Sequence, residues 1–206
     1  MILFINACVR RGSRTRQLAD NLIARLLETE QPDRQPSVPT EAVKDAKAAG
    51  TVEEVCLENM HFPKVNEAFI ENRTRLVDAG RLDDALFAPA RQFASADTIV
   101  MAAPYWDLSF PAVLKQYLEQ ICVTGITFRY TPEGYPEGLC LAKKLYYVTT
   151  AGGNYFPEEF GFGYVRALAQ SFFGIPEIRL VSAIGLDLVG ADPAAILQAS
   201  IDSLTL

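Results

Sequence analysis

The chain has little histidine and tryptophan and no closely spaced cysteines: one His, one Trp and four Cys in 206 residues. Cys8, Cys56, Cys122 and Cys140 form no CxxC pair and no cluster with His61. That excludes a zinc or iron–sulfur site, whose ligands come in tight sets, and no metal is expected. Four scattered thiols are read as free thiols of a reducing cytosol, which makes a cytoplasmic location the expectation. His61 stands in a loop without a visible partner and is read as a surface residue. A basic excess is lacking too. With 19 Lys and Arg against 25 Asp and Glu, the net charge is -6 and the pI about 4.9. No broad basic face for nucleic acid follows from that balance. No apolar run reaches the roughly 20 residues that span a bilayer, so no membrane association is expected. "MILFI" has no basic region before it and is cut short by Asn6, so it is not read as a signal peptide.

What is present is a regular alternation. "ILFINA" is a short apolar run without charge, the pattern of a strand buried on both faces of a parallel sheet. "SRTRQLADNLIARLLE" repeats Leu18, Leu22, Ile23 and Leu26 at helical spacing, with Ser13 or Thr15 available as the cap. The same alternation continues to the end. Strands are expected at "TVEEVCL", "DTIVMAAP", "KKLYYVTTAGG" and "EIRLVSAIGL". Helices are expected over 66–95 with a break near Gly80, over "SFPAVLKQYLEQIC" with Ser109 as cap, over "FGYVRALAQSFFGI" and over "DPAAILQASIDSL" with Asp192 as cap. A hairpin-like excursion is expected at "ITFRYTPEGYPEG". Residues 31–50, with Pro32, Pro36 and Pro39, read as a surface insertion holding a short helix near Ala42–Ala49. The whole, residues 1–206, is expected to be a single α/β domain of flavodoxin-like, three-layer architecture. Its five-stranded parallel sheet would have the order 2-1-3-4-5, with helices on both faces.

In such a sheet, ligands bind beyond the carboxyl ends of the strands. Three unusual loops should meet there. The first, "CVRRGSRT", carries Arg10, Arg11 and Arg14, with Arg16 directly after: four arginines within seven positions of an acidic chain. Its hydroxyls, guanidinium groups and helix-start N–H groups suit a phosphate. The second, "APYWDLSFP", places Trp106 beside Tyr105. The third, "TTAGGNYF", offers Gly152 and Gly153 for close approach of a flat ligand. A phosphate cradle, an aromatic wall and a glycine loop at one sheet edge describe a mononucleotide with a planar ring. Flavin mononucleotide (FMN) fits better than a dinucleotide, because no GxGxxG follows the first strand.

"SRTRQLAD", "PYWDLSFPAVLKQYLEQI", "GITFRYTPEGYPEGL" and "VTTAGG", in that order, resemble the flavodoxin-like NAD(P)H-dependent oxidoreductases. In particular the chain is similar to the FMN-dependent azoreductases and quinone reductases. The resemblance implies hydride transfer from NADH or NADPH to FMN and on to a quinone, azo or similar electron-poor acceptor, with ping-pong kinetics. It implies a phosphate site at Ser13, Arg14 and Thr15, with Cys8 also facing the phosphate. It implies ring contacts from Pro104, Tyr105, Trp106, Asp107 and Leu108, and from Thr150, Ala151, Gly152 and Gly153. It further implies a homodimer with the flavin near the interface. Tyr105, Phe128 and Tyr155 are candidates for lining the acceptor site. No side chain is obliged to act as acid or base, since the flavin carries the chemistry. Cys8, Asp107 and Ala151 stand where the family often has a small hydroxyl residue, an asparagine and, in some members, a basic residue.

Two other readings compete. Cys8-x5-Arg14-Thr15 has the spacing of a low-molecular-weight tyrosine phosphatase nucleophile loop, and Asp192-Pro193 could supply its acid. Against it, Val9, Arg10 and Arg11 put bulk where a tight phosphate loop favours small residues, and the second and third loops are left without a role. The other reading is a flavodoxin-type electron carrier. Such carriers tend to be strongly acidic around the flavin, whereas the first loop here is basic.

Overall fold

The computed structural model describes residues 1–30, 38–48 and 50–204. Five parallel strands form the central sheet: β1 (Ile2–Asn6), β2 (Val52–Cys56), β3 (Thr98–Ala102), β6 (Lys144–Thr150) and β7 (Glu177–Ala183). Two short strands, β4 (Phe128–Tyr130) and β5 (Pro136–Gly138), pair antiparallel with each other. The sheet order is β2-β1-β3-β6-β7. It differs from the expected 2-1-3-4-5 in numbering, because β4 and β5 intervene in the chain without joining the main sheet.

Every residue of β1 is buried. Its side chains alternate between the two layers, as strand geometry requires. Leu3 and Ile5 face one core, together with Phe93, Leu114, Tyr117 and Phe162. Ile2 and Phe4 face the other, together with Leu18, Leu22, Val43 and Leu197. The first layer contains α4 (Ala88–Ser95), α5 (Ala112–Ile121) and α6 (Phe162–Leu168), with Leu76 from α3 (Glu67–Asp78). The second contains α1 (Arg14–Glu30), α2 (Pro39–Ala48) and α7 (Pro193–Asp202). Each fully buried Leu or Phe on these helices contributes roughly 1.5–3 kcal/mol of apolar burial.

The helix ends follow local chemistry. Asp192 caps α7, accepting from the N–H groups of Ala194 and Ala195, with Pro193 in the first turn where its missing donor costs nothing. Asn66 caps α3 by accepting from Phe69 N–H. Gly80 follows α3 at φ 67° and supplies the break between α3 and α4.

Two expectations need adjustment. Ser109 is not the cap of α5: Pro111 occupies that position, and the Ser109 hydroxyl donates to the Phe160 carbonyl at 2.7 Å. Within the stretch read as a surface insertion, Ala42, Val43 and Ala46 of α2 are buried, Val43 and Ala46 against the second core, so this part is a packed layer. Residues 31–37 and Ala49 of that stretch lie outside the described residues. The expected hairpin is present as β4 and β5, and it packs against the body of the protein. A Cβ at Gly138 would collide with the backbone of Phe173 and Gly174, where the π-helical turn after α6 ends in a left-handed glycine.

Candidate functional site

The parallel register brings the carboxyl ends of four strands to one edge, and their loops continue the ladder. Ala7 N–H donates to Ala102 O, Ala103 N–H to Val148 O, Tyr105 N–H to Thr150 O and Ala151 N–H to Ala183 O. Beyond the last strand, Leu186 N–H donates to Ala151 O and Asp187 N–H to Gly152 O. Between these loops lies a cavity of about 350 Å³.

Loop one forms the floor. Gly12 takes φ 71°, which turns the chain into α1. Ser13 caps that helix, its hydroxyl accepting from Arg16 N–H at 3.3 Å. Among the described residues, no acceptor takes the first-turn N–H groups of Arg14 and Thr15. Those donors stand at the positive end of a 17-residue helix whose first residues line the cavity. That is the arrangement a phosphate group needs.

The four arginines divide. Arg10, Arg11 and Arg14 line the cavity. Arg10 lies over the Trp106 ring, 5.8 Å from its centroid. Arg14 donates to Leu186 O at 3.1 Å and to the Asp187 carboxylate at 2.7 Å. Arg16 belongs to the scaffold: it pairs with Asp20 at 2.8 Å and with Glu54 at 2.5 Å, and Lys47 joins Glu54 from α2. Asn6 connects this network to loop one, donating to Glu54 and accepting Cys8 N–H.

Cys8 is buried and does not line the cavity. Burial pushes its thiol up to about 11. A phosphatase nucleophile must be a thiolate near neutral pH, with its pKa lowered rather than raised. The site therefore contradicts the nucleophile reading of Cys8-x5-Arg14. Asp192, its suggested acid, is engaged as the cap of α7.

Loop two supplies Pro104, Tyr105 and Trp106 to the cavity wall. Asp107 and Leu108 follow at φ 50° and 68°, closed by reciprocal backbone bonds between Trp106 and Ser109. This is a tight two-residue turn built without glycine, a strained arrangement of the kind found at functional sites. Both residues are exposed and lie outside the cavity lining. Tyr105 is held by ring contact with Phe156 at 4.6 Å and by its hydroxyl to Pro157 O at 3.3 Å.

Loop three contributes Thr150, Ala151 and Gly152, while Gly153 lies outside the lining. A Cβ at Gly152 would fall against the Asp187 carboxylate, so the missing side chain leaves that acid its place beside loop three. The N–H groups of Gly152 and Gly153 have no acceptor among the described residues. Tyr155 is exposed and outside the lining. Phe128 is buried in the hairpin against Phe172 and Tyr130, so it is not placed to line an acceptor site on this cavity.

Loop four, with Leu186 and Asp187, was not anticipated from sequence. The signal for it was general: the carboxyl end of every strand in a parallel sheet opens on the same edge. Among the described residues, no three His, Cys, Asp or Glu side chains are placed to hold a metal ion. No helix among them is long and apolar enough to cross a membrane.

A cavity at the carboxyl edge of a doubly wound parallel sheet, lined by helix-start donors and an aromatic wall, is the arrangement of the flavodoxin-like fold. The family model described as "Flavodoxin-like fold" matches residues 36–205, and the chain belongs to that family. The FMN-dependent NADH:quinone oxidoreductase 2 of Clostridium acetobutylicum is 47% identical over 118 residues, covering 55% of this chain and 58% of that protein. The match thus spans little more than half of that relative's length. The FMN-dependent NADH:quinone oxidoreductase of Lachnoclostridium phytofermentans is 39% identical over 140 residues, covering 67% of this chain and 69% of that protein. Among solved structures, an azoreductase from Bacillus anthracis str. Sterne superposes with a TM-score of 0.75 at 26% identity, covering 98% of this chain and 94% of the other. An FMN-dependent NADH-azoreductase from Bacillus anthracis str. Ames Ancestor, solved in complex with FMN, shares the fold. Its TM-score is 0.71 at 21% identity, over 98% of this chain and 93% of that one.

Proposed function

We propose that the chain is an FMN-dependent NAD(P)H oxidoreductase acting on a quinone, azo or similar electron-poor acceptor. The observation that carries this reading is the convergence on one cavity of the open N–H groups of Arg14 and Thr15 with the wall of Tyr105 and Trp106. The names of the relatives add NADH as a reductant and quinones as acceptors.

The residues present fit the cofactor. Ser13, Arg14 and Thr15 would hold its phosphate at the start of α1. Pro104, Tyr105 and Trp106 would flank the ring, and loop three would approach it through Gly152. When bound, FMN supplies hydride transfer from the nicotinamide to the acceptor. The chain's own task is placement and electrostatics. The open N–H groups of Gly152 and Gly153 can stabilise negative charge beside the ring, and the hydroxyl bond between Thr15 and Thr150 fixes the distance between the phosphate loop and the ring loop.

The homodimer with the flavin near the interface belongs to the same reading. Val9, Leu108, Tyr155 and Phe160 expose apolar side chains on the cavity loops or beside them, which supports a partner there. A cytoplasmic location, in keeping with four unbridged cysteines, completes it.

The test is anaerobic mixing of the FMN-loaded protein with NADH and, separately, NADPH, followed by a quinone. Bleaching of the flavin by a nicotinamide and its recovery on quinone addition are expected. Absence of bleaching by both nicotinamides overturns the enzyme assignment and leaves a carrier.

A further inference from the structure

We propose that Asp187 sets how tightly the cavity holds a phosphate monoester, by competing for the Arg14 guanidinium. This rests on the flavin reading above. Arg14 is the first residue of α1 and lines the cavity, yet both terminal nitrogens are turned toward loop four. Nη1 donates to Leu186 O at 3.1 Å and Nη2 to the Asp187 carboxylate at 2.7 Å. Asp187 is the sole carboxylate among the lining residues. Its backbone is fixed, because its N–H donates to Gly152 O at 2.9 Å, and its side chain occupies the space that a Cβ at residue 152 would take. The acid thus sits between the loop that meets the phosphate and the loop that meets the ring.

A phosphate dianion and a carboxylate cannot both take the same guanidinium without repelling each other. The Arg14–Asp187 pair is open to solvent, with 37% and 65% of the side chains exposed, so it is weak and readily exchanged. Arg14 can leave Asp187 for a phosphate, but the carboxylate stays nearby and opposes the dianion. The residue therefore lowers affinity for the phosphorylated flavin and leaves the unphosphorylated one unaffected.

The experiment compares Asp187→Asn with the wild type, titrating FMN and riboflavin in parallel by flavin fluorescence. The expected result is an FMN Kd lowered by about three- to tenfold, with the riboflavin Kd unchanged. An FMN Kd that is unchanged or raised, or an equal shift for both flavins, overturns the proposal. Asp187→Ser carries the same test should the asparagine variant not fold. Wild-type protein that binds neither flavin would instead overturn the flavin reading itself.

Discussion

The hydroxyls of Thr15 and Thr150 meet at 2.6 Å, joining the first turn of α1 to the end of β6. Thr15 is buried, so its hydroxyl is committed to this bridge and its backbone N–H is what remains for an anion. The start of α1 and loop three are therefore one mechanical unit at the cavity.

Replacing Arg14 and Thr15 together by alanine removes a guanidinium and breaks that bridge. FMN affinity should fall by at least about tenfold, and riboflavin affinity by clearly less, because only FMN carries the phosphate. Parallel fluorescence titrations measure both. Equal losses would place these two residues away from the phosphate.

Cys8 is expected to be inert. Burial pushes its thiol up to about 11, which keeps it protonated at neutral pH. Cys8→Ser should retain FMN binding, and the wild type should show no aryl-phosphate hydrolysis. The thiol also links stability to pH. Its pKa is higher folded than unfolded, so its contribution is complete below about pH 9 and is lost as the pH rises through about 11. Urea midpoints at neutral and alkaline pH should show this loss in the wild type and a smaller one in Cys8→Ser.

Two glycines should respond differently to alanine. At Gly138 the new methyl would strike backbone atoms of Phe173 and Gly174, which cannot step aside, and a loss of about 1–3 kcal/mol is expected. At Gly152 it would strike the end of the exposed Asp187 side chain, which can rotate away, so the loss should stay below about 1 kcal/mol. Denaturant unfolding of both variants checks the ranking.

The turn at Asp107–Leu108 holds a leucine at φ 68°. Leu108→Gly relieves the left-handed strain at the cost of chain entropy and of a half-exposed side chain. The expected outcome is equal or greater stability, by up to about 1 kcal/mol, read from the melting temperature.

The doubly wound scaffold was legible in the sequence because the buried strands are short, apolar and separated by helical periods. Asp192-Pro193 marked the start of α7 by chemistry that works within four residues. Three of the four loops at the cavity carried their own signals: arginines, aromatics and glycines. The fourth carried none, since Asp187 matters only through its distance from Arg14, 173 positions away in the chain. The same blindness to tertiary partners explains Arg16, grouped by sequence with the anion-binding arginines but spent on Asp20 and Glu54. Phe128, a candidate for the acceptor site, is buried in the hairpin against Phe172 and Tyr130, a packing set by tertiary contacts that its own stretch does not signal. Ser109 looked like a cap because its acceptor, Phe160 O, lies 51 residues on.

On the proposed reading, this cavity binds FMN by its phosphate and its ring together. The most direct test is an equilibrium titration of the purified protein with FMN, read by quenching of flavin fluorescence and by the visible spectrum. Saturable one-to-one binding at micromolar concentration or below is expected, with FMN bound more tightly than riboflavin. Failure of FMN to bind at micromolar concentrations, or equal affinity for the two flavins, would contradict it.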